Sequence, residues 1–207
     1  TLDQARLHAL CLLDTLGALQ PEDVLAALGN KHPAIRRHGI RIAEPLLKVD
    51  NKIVVDAILT LEQDGDIQVQ LQLAYTLGAS NRSECGRVLA RLAVRHADNA
   101  FLSTAILSSA LSHLESMLDE VLSKPAQIAG QAVLTGRLFS MAVATDRFDA
   151  VARVLTAATS GGDRALWRFS VLASFLEALR QRGTNLADYL QKAPALQARK
   201  ASIEAAF

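Results

Sequence analysis

An internal repeat of about 33 residues limits the folds open to this chain more than any other feature of its sequence. Four stretches of helical pattern align with one another, and they cover residues 5–13, 35–43, 69–77 and 101–109. Their matched second positions are separated by 30, 34 and 32 residues. A fifth match, at 167–172, lies two further repeat lengths along the chain. Such a period is typical of proteins in which one supersecondary unit stacks on the next.

Each repeat continues into a second helical pattern, so the predicted unit is a pair made of a first helix and a second helix. In the third unit, for example, Val88, Leu89 and Leu92 recur at the spacing that places them on one helix face. Second helices are predicted at 21–28, 52–62, 84–95, 114–122, 148–158 and from residue 186 onward, and a degenerate unit fills 128–159.

One helix pair cannot bury its apolar faces alone, whereas stacked pairs share a continuous core. We therefore predict an all-α fold, a right-handed α-solenoid of about six helix pairs in which residues 1–207 form a single domain. The final Ala-rich segment, from Ala193, is expected to fold back over the last pair. Because the chain starts within a helical pattern, we also expect it to be part of a larger multidomain protein.

Residues with special backbone preferences mark the predicted helix ends. Pro21 and Pro33 suit the first position of a helix. Asp98, Asn99 and Asn185 suit the N-cap, and Pro45 is expected to kink or end the first helix of the second unit. Four glycines are placed where a helix can end in a left-handed residue, namely Gly17, Gly29, Gly78 and Gly183.

Composition excludes several classes of protein. With 50% hydrophobic and 21% charged residues, the chain is too apolar for disorder. Its 22 Lys and Arg against 21 Asp and Glu leave no basic excess, which disfavours nucleic acid as a partner. No apolar run reaches the roughly 18 residues that a membrane span needs. Cys11 and Cys85 are about two repeats apart, too far for a disulfide.

The repeats resemble a known family. The segments Ile35 to Ala43 and Val69 to Gly78 look like HEAT repeats of the phycobilisome-lyase-like class. The strings His32 to His38, Gln70 to Gly78 and Ala105 to Ser109 resemble the helical part of planctomycete-type proteins that join a dehydrogenase-type β-propeller, HEAT repeats and a cytochrome c domain. That resemblance implies an exported or periplasmic spacer or docking module in a haem-containing protein. This chain has no CxxCH motif, so the resemblance assigns no cofactor to its residues.

Two groups of charged residues are candidate interaction sites. Arg87, Arg91 and Arg95 recur every four residues on a second helix, so they form one stripe that could bind an acidic partner. A second cluster, Arg36 with its neighbours Arg37, His38 and Arg41, lies on a first helix. In such repeats the first of these arginines usually braces the next turn. We expect Arg36 to reach Asp64 or Asp66 in an exposed ion pair, worth at most about 1 kcal/mol.

No motif in the sequence indicates catalysis or a metal. The five histidines show no HExxH or i,i+4 pairing, and His8 and His38 fall one repeat apart. Asp64-Gly65-Asp66 lacks the remaining ligands of a calcium loop and is predicted to be a turn. Trp167 and Phe169 are expected in the core or cap of the stack. We therefore predict no enzymatic activity, no metal and no cofactor.

The sequence favours a non-catalytic protein-interaction or scaffold module that binds another protein or adjacent domains of the same polypeptide. The alternative is a nucleic-acid-binding HEAT protein similar to the alkylpurine DNA glycosylases, whose grooves are strongly basic and carry aromatic residues. The first unit also places Leu2, Leu7, Leu10 and Leu13 where no preceding helix covers them. We expect an apolar patch there, through which the chain would self-associate.

Overall fold

A computed structural model describes residues 2–123, 129–159, 165–198 and 200–204. Within these ranges the regular secondary structure is helical and contains no strand, which confirms the predicted all-α class. The chain forms two compact units. The first comprises the residues up to Leu92 together with Asn99–His113, and the second comprises Ala93–Asp98 and the residues from Leu114 onward.

The first unit contains six complete helices and the beginnings of two more. The complete helices are α1 (Leu2–Thr15), α2 (Pro21–Leu28), α3 (Pro33–Ile42), α4 (Glu44–Lys48), α5 (Lys52–Leu59) and α6 (Ile67–Thr76). Short 3-10 helices follow α5 at Thr60–Gln63 and α6 at Leu77–Ala79. α7 (Ser83–Arg95) and α8 (Ala100–Leu122) start in this unit and end in the second.

First helices pack on first helices in this unit. α3 contacts both α1 and α6, and α2 contacts α3 and α5. The core between them is aliphatic, with Ile40, Val54 and Leu73 fully buried. α3 is therefore covered on both sides, by the first helix of the repeat before it and by that of the repeat after it.

The second unit contains α9 (Ala129–Ala144), α10 (Phe148–Thr159), α11 (Ala165–Gln181), α12 (Leu186–Leu190), α13 (Pro194–Gln197) and α14 (Lys200–Glu204). α9 packs on α11, and α10 contacts both. The core is aromatic: Phe139 stacks on Phe175 at 5.0 Å between ring centroids, and Phe175 meets Tyr189 edge-on at 5.7 Å. Burial raises the pKa of the Tyr189 hydroxyl to about 12.

Four first helices end in the same turn. Each places one residue in the left-handed region and returns a backbone hydrogen bond over five residues, which is the Schellman arrangement. The left-handed residues are Gly17 (φ +64°), Asp50 (φ +57°), Asp146 (φ +54°) and Gly183 (φ +63°), and the bonds run from Ala18 to Leu13, Asn51 to Leu46, Arg147 to Ala142 and Thr184 to Leu179, at 2.9 to 3.1 Å. The repeat is thus visible in backbone conformation as well as in sequence.

Other helix ends test the remaining predictions. The N-caps predicted at Asn99 and Asn185 are confirmed, since both side chains accept backbone N–H bonds. The left-handed ends predicted at Gly29 and Gly78 are wrong. Gly29 has φ −83°, and Gly78 does not have a positive φ. A Cβ on Gly78 would lie 2.6 Å from the Ser109 hydroxyl, so this glycine permits close packing instead.

The fourth unit departs from the predicted helix pair. Its expected first helix and its expected second helix at 114–122 are one continuous helix, α8, of 23 residues. Neither Gly nor Pro interrupts residues 100–122, so no residue there favours a break.

The two ends of the chain differ in burial. α1 contains no buried residue: Leu2 is 67% exposed and Leu12 59%, while Leu7, Leu10 and Leu13 are half-buried. At the other end, α13 and α14 pack on α10 and bury Leu196 and Ile203. The described part of the final segment therefore folds back as expected; residues 199 and 205–207 lie outside the described ranges.

Gly39 allows α3 to approach α2 closely. A Cβ at this position would lie 2.9 Å from the Cβ of Ala27 and 3.2 Å from the backbone nitrogen of Leu28. Because part of the obstruction is backbone, it cannot move aside as a side chain would. The contact between the two helices therefore depends on this glycine.

We predict that Gly39→Val lowers the free energy of unfolding by about 2–3 kcal/mol, because the added methyl groups overpack the α2–α3 contact. Urea denaturation followed by circular dichroism measures this value. Gly65→Val is the matched control, since a Cβ at Gly65 meets nothing within 4 Å. An equal loss in both variants would contradict the close-packing role.

Candidate functional site

Arg36 joins α3 to the turn that precedes α6. Its Nε and Nη2 donate to the two carboxylate oxygens of Asp64 at 2.6 and 2.8 Å, and its Nη1 donates to the carbonyls of Asn30 and Lys31 at 2.9 Å. Of the two predicted acceptors, Asp64 takes the guanidinium. Asp66 instead caps α6 by accepting from the backbone nitrogens of the following residues.

The pair between Arg36 and Asp64 is more enclosed than the sequence suggested. The Asp64 side chain is only 4% exposed and that of Arg36 17%. Burial alone would raise the pKa of Asp64, but the hydrogen bonds from Arg36 and from the backbone of Asp66 hold it below its ordinary 3.8. The expectation of an exposed pair is therefore wrong, and the interaction is a partly buried structural bracket.

Similar contacts recur along both units between residues about one repeat apart. In the first unit, Arg82 pairs with the left-handed Asp50, and in the second, Arg182 pairs with the left-handed Asp146. The sequence separations are 27 residues for Arg41–Asp14, 28 for Arg36–Asp64, 29 for Arg91–Glu62, 32 for Arg82–Asp50, 34 for Arg153–Asp119 and 36 for Arg182–Asp146. These ion pairs link residues of neighbouring repeats within each unit.

The predicted arginine stripe lies on α7, but its members differ in environment. Arg91 donates to both carboxylate oxygens of Glu62, whose side chain is 9% exposed. Its charge is thus balanced within the chain. Arg87 is exposed, and Arg95, also exposed, belongs to the second unit. The stripe as a binding site for a partner stays a prediction.

Exposed apolar side chains are concentrated on the first helices. Among the described residues, the larger ones on these helices are Leu2, Leu12, Ile67, Tyr75, Phe101, Leu111, Val133, Phe169 and Leu176, whereas the second helices expose Ile53. Phe101 is 82% exposed and Phe169 64%, while Trp167 is buried. Phe169 was expected in the core or cap of the stack; it lies outside the core because its position on α11 faces solvent.

Three of the first helices in the first unit lack acidic residues over their length in that unit. α3, α6 and the part of α8 up to His113 contain no Asp or Glu, whereas α3 carries three arginines. Arg36 is held by Asp64, and Arg41 lies 3.4 Å from Asp14. Arg37 forms no ion pair with a described residue. This surface combines a local basic excess with exposed aromatic rings, which the near-zero net charge of the chain conceals.

A recess of about 260 Å³ lies between α3 and α6 on this surface. Its lining residues are Arg37, His38 and Arg41 from α3, and Gln68, Leu71, Gln72 and Tyr75 from α6. His38 Nδ1 is buried there without a hydrogen-bond partner among the described residues. Burial, with the nearby charges of Arg37 and Arg41, lowers the pKa of His38 below its ordinary 6.5.

A second recess, of about 270 Å³, lies between α6 and the start of α8. It is lined by Ile67, Asn99, Phe101 and Leu102, and it shares Gln68 and Leu71 with the first recess. The two recesses therefore adjoin over the first half of α6. We call this continuous area, formed by the residues that line both recesses, the α6 surface.

The remaining reactive groups have structural surroundings. Cys85 is buried, and burial raises the pKa of its thiol. Cys11 is half-buried, and neither cysteine forms a disulfide. His113 contacts the carbonyl oxygen of Leu77 through Nε2 at 3.0 Å. Within the described ranges, no cluster of three His, Cys, Asp or Glu side chains is arranged to hold a metal ion. Asp64-Gly65-Asp66 forms a turn in which Asp64 accepts from the Asp66 backbone nitrogen.

Comparisons with models of protein families, with curated proteins and with solved structures find no match to this chain. The resemblance to HEAT repeats and to haem-containing multidomain proteins therefore stays a prediction. Across the part of the chain that the structure describes, no helix combines the length and apolarity that crossing a membrane requires.

We predict that Arg36→Ala lowers the free energy of unfolding by about 2–3 kcal/mol, because it leaves the enclosed Asp64 carboxylate unpaired. Arg6→Ala is the control: Arg6 forms an exposed pair with Asp3, and its loss should cost at most about 0.5 kcal/mol. Urea titration at pH 7 compares the two. Similar losses of unfolding free energy in both variants would contradict the structural role of Arg36.

A second prediction concerns pH. Burial, the largest effect on each, lowers the pKa of His38, His96 and His113 in the folded state, so between pH 5 and 7 the unfolded chain binds more protons. We therefore expect the free energy of unfolding to include the whole contribution of these histidines above about pH 6.5, and to decrease as the pH falls towards 5. Urea titrations across this range measure the slope. His113→Gln should reduce it, and an unchanged slope would exclude His113 as a contributor.

Proposed function

We propose that this chain is a non-catalytic protein-interaction module, built as a right-handed HEAT-like α-solenoid, that binds its partner through its first helices. The observation that carries the proposal is the concentration of exposed apolar and aromatic side chains on those helices. Large apolar side chains left in water cost free energy unless a partner covers them.

The recurring turns and ion pairs support the repeat part of this proposal. Left-handed residues end the first helices at Gly17, Asp50, Asp146 and Gly183. Ion pairs link positions 27 to 36 residues apart. Contacts of this kind are expected where each unit stacks on its neighbour in sequence.

The second helices of the first unit support the choice of face. Arg91 is paired with Glu62, Arg82 with Asp50, and Lys52 with Asp56 at 2.5 Å. Charges that are already paired within the chain offer a partner less than unpaired ones do. The partner is therefore expected to contact the first helices. It is either a separate protein or a neighbouring domain of the same polypeptide.

Affinity capture tests this proposal with two charge-introducing variants. Phe101 and Ile53 are 82% and 69% exposed, so Phe101→Glu and Ile53→Glu should both leave the fold intact. We expect the native chain and Ile53→Glu to retain the same protein from a lysate of the source organism, and Phe101→Glu to lose it. Mass spectrometry identifies the retained protein. Loss in both variants, or retention in both, would contradict binding through the first helices.

A further inference from the structure

The α6 surface has the chemistry of a site for a specific class of peptide. Arg37 and Arg41 are one helical turn apart on α3, and Gln68 and Gln72 are one turn apart on α6. These two rows line opposite sides of the recess between α3 and α6. The recess thus offers guanidinium donors from α3 and amide donors from α6, and Leu71 and Tyr75 also line it.

The positive charge of the α6 surface favours a partner that carries carboxylates. α3, α6 and the part of α8 up to His113 carry no Asp or Glu, so the walls of the α6 surface place no carboxylate against an approaching one. Three acids near this surface have partners within the chain: Asp64 binds Arg36, Asp66 caps α6, and the Asp14 carboxylate lies 3.4 Å from the Arg41 guanidinium. Charge complementarity of this kind sets which partner is accepted and how fast it associates.

The adjoining recess adds an apolar requirement. Ile67, Leu71 and Phe101 line it together, and Phe101 is almost fully exposed. Apolar side chains placed next to the carboxylates of a peptide would cover these residues. The two recesses share the wall formed by Gln68 and Leu71. A peptide segment that lies across both recesses therefore meets the arginines of the first and the apolar side chains of the second.

We propose that the α6 surface binds an acidic peptide segment of the partner, with its carboxylates on Arg37 and Arg41 and its apolar side chains on Ile67 and Phe101. This inference rests on the proposed function and specifies the partner's chemistry. A nucleic acid is disfavoured, since two arginines supply few of the phosphate contacts on which such affinity depends.

Three synthetic peptides of about 12 residues test the inference. They share the same Leu and Phe positions and carry Glu, Gln or Lys at the others. Fluorescence anisotropy with the full chain should show binding of the Glu peptide at least about tenfold tighter than of the other two, and weaker at higher salt. Equal binding of all three peptides, or tighter binding of a labelled oligonucleotide, would overturn the proposal.

Matched variants locate the site. Arg37→Gln/Arg41→Gln should weaken binding of the Glu peptide about tenfold, whereas Arg6→Gln/Arg87→Gln removes two arginines elsewhere and should leave it unchanged. Circular dichroism checks that both variants remain folded. An unchanged affinity in Arg37→Gln/Arg41→Gln would refute the site. If the Glu peptide fails while capture still depends on Phe101, only the acidic specificity is wrong; if both fail, the proposed function is wrong as well.

Discussion

Packing between helices one repeat apart is the interaction on which the rest of this structure depends. α3 shows why, because it contacts α1 and α6 as well as α2, and its buried Ile35 and Ile40 have no apolar cover within their own helix. Gly39 lets α2 and α3 approach so closely that a Cβ at this position would lie 2.9 Å from the Cβ of Ala27. Where a neighbour covers one side only, as for α1, no side chain is buried. Burial therefore depends on the number of flanking repeats more than on the apolarity of the helix itself.

Polar contacts complete this packing at the helix ends. A left-handed aspartate both ends a first helix and presents its carboxylate to an arginine of the following repeat, at Asp50 with Arg82 and at Asp146 with Arg182. Glycine would satisfy the backbone of such a turn at lower cost, but it could not form the ion pair. The use of Asp at these two positions thus joins a local backbone requirement to a contact between repeats.

The same contacts divide the surface of the first unit into two kinds. On the second helices, Arg91 pairs with Glu62 and Lys52 with Asp56, while Arg87 is exposed. On the first helices, α3, α6 and the start of α8 lack acids altogether, and aromatic rings at Tyr75 and Phe101 face water. A chain with a net charge of +1 can therefore hold a locally basic, apolar surface. The proposed partner therefore contacts the first helices, whereas the arginine stripe that the sequence suggests lies on the second helix α7.

The sequence by itself determined the helical class, most helix boundaries and the reach of Arg36 towards the turn that holds Asp64 and Asp66, because these follow from local periodicity and from the repeat length. It did not determine the left-handed turns at Asp50 and Asp146, since Asp suits many turns and caps. Nor did it reveal that Phe169 is exposed or that Arg91 is held by Glu62. Those features depend on which side chains meet across neighbouring helices, and such distances exist only once the helices have packed.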